Sequence, residues 1–309
     1  MFREGKKRDQ NIYKVQKEKK SMIVGLSGNT SVARTLAKRL HLPFEELHVT
    51  KFPDGELHLR YPKHTIHPHV LFVQSFYPNP NDKLVETIFA AKTMKEWGTK
   101  KTTLIATYFP YLRQDKEFKK GEIVSNKLTA HLIESAFDNV YIFDPHLHRE
   151  AQLSHLFSIP AEKISANSLI APFVKKNFNH PFIIGPDWES YKWAEKVAHE
   201  VGCPSSILKK ERLSSRKVKV SLTKKIDLQG YEVIIIDDMI STGHTLLEAI
   251  KDLRKIGAKN ITCIAVHGLF VEEALQKLKD ARVKVITTNT IPNKTSQIDI
   301  SQLITSFLK

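Results

Sequence analysis

Cysteine is scarce. The 309 residues contain two, Cys203 and Cys263, which excludes a disulfide framework and suits a reducing, cytoplasmic setting. Long apolar runs are also missing, and no stretch approaches the roughly 18 uninterrupted apolar residues that a membrane-spanning helix needs. The basic, polar start of the chain has no apolar core behind it, which speaks against a secretory leader. Acidic residues are outnumbered, 33 Asp and Glu against 48 Lys and Arg, for a formal net charge of +15. Such a chain attracts polyanions, but charge alone does not choose among nucleotide, phosphosugar and nucleic acid. Neither G-x-x-x-x-G-K-[ST] nor G-x-G-x-x-G occurs, so phosphate handling is of neither the P-loop nor the dinucleotide kind. With 41% hydrophobic residues, the chain has ample material for sizeable cores.

Residues 1–21 stand apart as a basic extension, crowded by Arg3, Lys6, Lys7, Arg8, Lys14, Lys17, Lys19 and Lys20 and read as frayed or partly helical. From Met22 onward, short apolar runs at 70–73, 103–107, 140–143, 182–184, 233–236 and 261–266 read as buried strands. Amphipathic stretches such as 83–97 and 245–256 separate them. The alternation predicts an α/β fold with parallel sheets covered by helices on both faces.

An internal similarity points to two domains. Met94-Lys95-Glu96-Trp97-Gly98 before one strand parallels Leu253-Arg254-Lys255-Ile256-Gly257 before another. Each copy is a strand–loop–helix–Gly–strand unit in which the glycine stops the helix. The expected division is 22–163 and 164–309, two similar domains, with the last strand free to pack back on the first.

The segment richest in chemistry runs Val233-Ile-Ile-Ile-Asp-Asp-Met-Ile-Ser-Thr-Gly-His-Thr245. An apolar strand delivers Asp237 and Asp238 at its C-terminal end, and the turn Ser241-Thr242-Gly243 then opens a helix at Thr245. Ligands bind at such places in open parallel sheets. Successive backbone N–H groups and a helix N-terminus suit a phosphate, and the Ser and Thr hydroxyls add donors. The carboxylates can accept from sugar hydroxyls or hold a metal. An ordinary capped turn leaves two adjacent buried aspartates unexplained, because unpaired carboxylates are costly to bury.

Asp237-Asp238-Met239-Ile240-Ser241-Thr242-Gly243-His244-Thr245 resembles the phosphoribosyl-diphosphate loop of type I phosphoribosyltransferase-fold proteins. Five further segments narrow the resemblance to ribose-phosphate diphosphokinases. They are Lys51-Phe52-Pro53-Asp54-Gly55-Glu56, Tyr108-Phe109-Pro110-Tyr111-Leu112-Arg113-Gln114-Asp115, Asp144-Pro145-His146, Gly185-Pro186-Asp187 and Lys210-Glu211-Arg212. They occur in the family's order from about Met22 to the C-terminus. Lys116 to Glu122 and Pro145-His146 look more like the archaeal-type branch.

The resemblance implies transfer of the diphosphoryl group of ATP to the 1-hydroxyl of ribose 5-phosphate, giving 5-phosphoribosyl 1-diphosphate and AMP, with Mg²⁺ bridging the phosphates. It assigns Asp237 and Asp238 to the ribose hydroxyls, and Ser241, Thr242, Gly243, His244 and Thr245 to the 5-phosphate. His146 and Asp187 match metal-associated positions, though a hard ion prefers oxygen to imidazole, which leaves His146 a part in ordering ATP phosphates. Lys210 and Arg212 match catalytic cations on a mobile loop, and the basic stretch 209–225 fits a lid over an anion. Phe52 would stack on the purine, with Asp54 and Glu56 accepting from adenine or ribose donors. Arg113 and Gln114 would contact ATP at a subunit junction, with Asp115 nearby. Since the family draws the Phe52 segment from a neighbouring subunit, a homodimer or larger homo-oligomer is implied, with no membrane or nucleic-acid partner.

This sequence departs from the family at three places. His244 stands where these synthases mostly carry glycine, Glu189 occupies another usual glycine position beside the sugar-phosphate site, and the basic extension lies outside the pattern. Glu189 and the extension support an alternative, a catalytically impaired regulatory homologue that binds nucleotide, phosphosugar or a partner protein. The duplicated domain with its Phe52 and Arg113 motifs argues against a transferase moving the sugar onto a base. No helix-turn-helix supports a nucleic-acid-binding repressor.

Overall fold

The computed structural model describes residues 21–147, 152–212, 218–222 and 227–308. The basic segment before Ser21 lies outside the described residues, as does His148, a neighbour of His146 that competes for the same role. The chain forms two compact units, each with its own parallel sheet.

The first unit contains β1 (Ser21–Gly25), α1 (Thr30–Leu40), β2 (Phe44–Glu46), β3 (His48–Lys51), β4 (Leu57–Arg60), β5 (His69–Ser75), α2 (Pro80–Glu96), β6 (Lys101–Tyr108), α3 (Ser125–Glu134), β7 (Asn139–Phe143) and β8 (Ala161–Ile164). Its sheet has the order β2-β1-β5-β6-β7-β8, parallel throughout. The short pair β3–β4 is a separate antiparallel hairpin. All seven residues of β5 are buried, which explains why the strand reads as an apolar run rather than an alternating one.

The second unit contains α4 (Asn167–Asn177), β9 (Pro181–Gly185), α5 (Trp188–Val201), β10 (Ser205–Arg212), β11 (Val218–Leu222), β12 (Glu232–Ile240), α6 (His244–Lys255), β13 (Asn260–Gly268), α7 (Ala274–Asp280), β14 (Lys284–Thr288) and β15 (Ser296–Ile298). The order is β11-β10-β9-β12-β13-β14-β15, with only β10–β11 antiparallel. The last strand, β15, pairs within this sheet. The final helix, α8 (Ser301–Leu308), groups with the first unit, where Arg39 Nε on α1 donates to Ser301 Oγ at 3.1 Å.

Strand β12 shows how the second sheet is covered. Val233 and Ile235 join one apolar cluster with Leu246, Ile250 and Leu253 of α6, while Ile234 and Ile236 join another with Ala194 and Val197 of α5. The two-residue period of a strand divides its side chains between the faces. Each fully buried isoleucine contributes about 1.5–3 kcal/mol.

With β11 set aside, both sheets repeat one order, the second strand outside the first and the third to sixth following on the other side. The helix ends repeat as well. Gly98 and Gly257 have left-handed φ of 114° and 100°. Gly98 N–H donates to Lys95 O and Thr99 N–H to Met94 O, and Gly257 N–H donates to Arg254 O and Ala258 N–H to Leu253 O. Those paired bonds satisfy the last carbonyls of α2 and α6 in the same way. The expected α/β architecture of two similar domains is therefore observed. No helix among the described residues is long and apolar enough to cross a membrane.

Candidate functional site

In the second unit β9 pairs with β12 only as far as Ile184 opposite Ile235. There β9 turns away at Gly185, while β12 continues along β13, with Asp237 opposite Ala265 and Met239 opposite His267. Asp237 and Asp238 thus lie beyond the last β9 pairing, at the point where the connections diverge and a parallel sheet opens toward ligands. They do not end the strand, as the sequence suggested. Ile240 prolongs it, because its carbonyl accepts from Leu269 N–H at 2.9 Å and Phe270 N–H at 3.1 Å.

Asp237 Oδ1 accepts from the Ser190 hydroxyl at 2.8 Å and from Asp238 N–H at 3.0 Å. Asp187 is the N-cap of α5, its Oδ1 accepting from Ser190 N–H at 2.8 Å. Desolvation pushes the Asp237 carboxyl well above its ordinary 3.8, and the negative charges of Asp238 and Asp187 push the same way. The bonds from Ser190 and Asp238 N–H pull it down.

The turn 241–243 leads into α6, which starts at His244, one residue before the expected Thr245. The reason is Gly243, whose left-handed φ of 74° makes it the N-cap, with its carbonyl accepting from Leu247 N–H at 2.9 Å. A Cβ there would lie 3.3 Å from Ala274 Cβ. No side chain caps this helix, so the Ser–Thr capping that would make the turn ordinary is not made. The first-turn N–H groups need another acceptor. Ser241 and Thr242 are half-buried, and His244 and Thr245 are exposed.

The segment read as a mobile basic loop is instead strand where it is described. Lys210 and Arg212 occupy alternate positions of β10, paired with Val220 and Val218 of β11. The partner strand β11 alternates Val218, Val220 and Leu222 with Lys219 and Ser221, a two-residue strand period that draws the Lys-Glu-Arg string into an antiparallel pair. The side chains of Lys210, Arg212 and Glu189 lie outside what the structure describes. The backbone of Glu189 lies in the first turn of α5.

The residues expected to meet ATP belong to the first unit. Phe52 and Glu56 close the β3–β4 hairpin, Phe52 N–H donating to Glu56 O and Gly55 N–H to Phe52 O, both at 2.9 Å. Gly55 has φ of 94°, the left-handed position that ends a three-residue hairpin loop. Asp54 Oδ1 accepts from Glu56 N–H at 3.1 Å. The Phe52 ring is 49% exposed and packs on His58, centroids 5.0 Å apart. Arg113, Gln114 and Asp115 follow buried Leu112 in the loop after β6. Hairpin and loop are both tied to the start of α2, by the 2.6 Å ion pair of Lys51 with Asp82 and by Tyr111 Oη–H donating to Asn81 Oδ1. His146 is half-buried in the loop after β7.

Among the described residues no three His, Cys, Asp or Glu side chains are grouped to hold a metal. The donors suit Mg²⁺ nonetheless. This ion keeps several waters and is commonly held by one or two carboxylates together with substrate phosphates, and Asp187 stands close enough to Asp237 for the two charges to repel. A divalent cation would relieve that repulsion.

Two features were not singled out from the sequence. Ser190 has no local signal, since a serine in a helix is common. His267, buried at the end of β13 opposite Met239, looks like any strand residue. Gly185 was quoted only within a motif, yet it has a structural requirement of its own, since a Cβ there would lie 2.6 Å from Tyr191 Cα.

Two parallel sheets of one strand order, with an Asp-Asp pair near the C-terminal end of a strand and a Thr-Gly turn into a helix, define an α/β protein of the type I phosphoribosyltransferase fold. Residues 21–136 match the N-terminal domain of ribose phosphate pyrophosphokinase, and residues 152–302 match the phosphoribosyl transferase domain. The chain belongs to the ribose-phosphate pyrophosphokinase family. It is 35% identical over 282 residues to the ribose-phosphate pyrophosphokinase of Sulfolobus acidocaldarius, covering 90% of this chain and 96% of that one. The Methanothermobacter thermautotrophicus counterpart is 35% identical over 290 residues, covering 93% and 100%. These relatives are archaeal, in keeping with the branch that the motifs resemble. The crystal structure of phosphoribosylpyrophosphate synthetase from Mycobacterium smegmatis superposes with a TM-score of 0.79 at 27% identity, covering 94% of this chain and 98% of that one.

Proposed function

We propose that the chain transfers the diphosphoryl group of ATP to ribose 5-phosphate. The sugar's O1 forms a bond to the β-phosphorus, and the bond from that phosphorus to the α–β bridging oxygen breaks. AMP leaves with that oxygen, the O1 proton passes to solvent, and 5-phosphoribosyl 1-diphosphate is the second product. The observation that carries the reading is the pair Asp237–Asp238 beside an uncapped helix N-terminus, a polyol acceptor next to a phosphate donor array.

In this reading Asp237 and Asp238 accept from the ribose hydroxyls. Ser241, Thr242 and Thr245, with the first-turn N–H groups of α6, donate to the 5-phosphate, and the exposed His244 imidazole adds a contact. Lys210 and Arg212 neutralise charge on the transferring phosphates, the guanidinium as a fork and the ammonium as a point charge. Phe52 stacks on the purine, Asp54 and Glu56 accept from its donors or the ribose, and Arg113, Gln114 and Asp115 bind the ATP side. Bound Mg²⁺ would supply charge neutralisation to the substrate phosphates; Asp187 is the metal-associated residue of the second unit and His146 that of the first. The work of the chain is positioning and electrostatics rather than covalent catalysis. The reading includes a cytoplasmic homodimer or larger homo-oligomer.

The test is AMP formation from ATP, Mg²⁺ and ribose 5-phosphate by the purified chain, beside Lys210→Ala. AMP that requires the sugar, is matched by an equal amount of phosphoribosyl diphosphate and collapses in the variant is the expected result. Binding of both ligands without AMP would overturn the reading in favour of the regulatory homologue, with Glu189 as the first residue to revert to glycine.

A further inference from the structure

Ser190 makes two bonds with two different parts of itself. Its N–H donates to Asp187 Oδ1 and its hydroxyl to Asp237 Oδ1, each at 2.8 Å. The first is an ordinary N-cap bond to the third residue of a helix. The second is not helical at all, because the hydroxyl reaches across to β12 instead of back to its own turn, the usual local use of a helical serine. The reach is built in. Gly185 lets Tyr191 approach so closely that a Cβ would lie 2.6 Å from its Cα and 2.8 Å from its nitrogen, which seats the first turn of α5 against the end of β9, next to β12.

We infer that Ser190 is a positioning residue for the sugar, locking the Asp237 carboxylate in one orientation. Oδ1 is occupied by two donors from the chain, the Ser190 hydroxyl and Asp238 N–H at 3.0 Å. With the carboxylate plane fixed by both, Oδ2 is the oxygen left to accept from a ribose hydroxyl. A preset acceptor costs no ordering when the ligand arrives. The inference rests on the ribose 5-phosphate reading of this site. A merely structural serine, holding α5 to β12, would act on stability and leave affinity alone.

The test is calorimetric titration of ribose 5-phosphate into the full chain without ATP or metal, for the wild type, Ser190→Ala and Ser190→Thr. Losing a hydrogen bond to a charged group is expected to weaken binding about tenfold in Ser190→Ala. Ser190→Thr keeps the hydroxyl and is expected to bind within about twofold of wild type. Direct titration of ATP should give one affinity for all three, and the melting temperature of Ser190→Ala should stay within about 4 °C of wild type. Equal ribose 5-phosphate affinity in the wild type and Ser190→Ala overturns the inference while leaving the sugar reading standing, as does a threonine variant as weak as the alanine one. A wild type that takes up no ribose 5-phosphate removes the sugar reading and this inference together.

Discussion

The two units carry the same switch point with opposite contents. In the first, Gln74 follows the apolar run 70–73 of β5 and pairs with Ala106. In the second, Asp237 follows the apolar run 233–236 of β12 and pairs with Ala265. Gln74 is fully buried and neutral, its Oε1 accepting from Gly28 N–H at 2.8 Å and its Nε2 donating to Thr87 Oγ1 at 3.2 Å. Nearby, buried Glu86 accepts from the Ser27 N–H at 2.7 Å and the Ser27 hydroxyl at 2.5 Å, and Lys83 Nζ donates to that same hydroxyl at 2.7 Å. A Cβ on Gly28 would overlap the Ser75 carbonyl, so the loop after β1 is pressed shut against β5. The following helices each start from a left-handed residue, Asn79 for α2 and Gly243 for α6. The fold thus supplies the same framework twice. In one copy Gln74 and Glu86 find partners within the unit, and the other holds two adjacent carboxylates beyond the last β9 pairing with Asp187 close by. Internal satisfaction stabilises a structure, whereas clustered like charges that destabilise it mark a place kept for a ligand.

The largest expected effect comes from making the second site resemble the first. Asp237→Asn with Asp238→Asn should weaken ribose 5-phosphate binding by about 100-fold or more, from the loss of charged acceptors. Urea unfolding of the ligand-free protein should meanwhile show unchanged or increased stability, because like-charge repulsion goes. The reverse exchange, Gln74→Glu, places a carboxylate in the closed site beside Glu86 and should cost about 3 kcal/mol in the same unfolding measurement, with ribose 5-phosphate affinity intact. Gly185→Ala tests the seat of α5. Its Cβ meets Tyr191 backbone, and a loss of about 2 kcal/mol is expected.

A pH series sharpens the contrast further. The Asp237 carboxyl is raised above 3.8 by desolvation and by its acidic neighbours, so the native state keeps that proton to a higher pH than the unfolded chain. Its contribution is complete below 3.8 and is lost as pH rises through the raised value. Asp237→Asn should therefore gain on the ligand-free wild type as pH climbs through that window, and parallel stability curves would contradict the assignment. The smallest effect is expected at the hairpin tip. Phe52→Ala should raise the KM for ATP about tenfold through lost stacking, with little change in melting temperature because the ring is 49% exposed.

Much of this was legible from residues alone, for physical reasons. Strands buried on both faces must be continuous apolar runs, and the six runs read from the sequence lie inside β5, β6, β7, β9, β12 and β13. Glycines at 98 and 257 announced helix ends because left-handed backbone favours them. The turn 241–245, proposed to take the phosphate, was legible because its residues are consecutive. The short strands β2, β8 and β15 have too few residues for a pattern, and β10–β11 owes its pairing to backbone bonds that a Lys-Glu-Arg string does not advertise. Ser190 and the Gln74–Glu86 cluster escaped notice because their partners are distant in sequence, 47 residues away for Ser190 and Asp237. Polar residues that satisfy one another across a fold leave no local periodicity.

The most direct test of the comparison is the stoichiometry of ribose 5-phosphate binding, measured by titration calorimetry on the full chain. One sugar phosphate per chain, lost with Asp237→Asn and Asp238→Asn and retained in Gln74→Glu, is the predicted result. Two per chain, or binding that survives in the double variant, would contradict the claim that only the second switch point is kept open for the sugar.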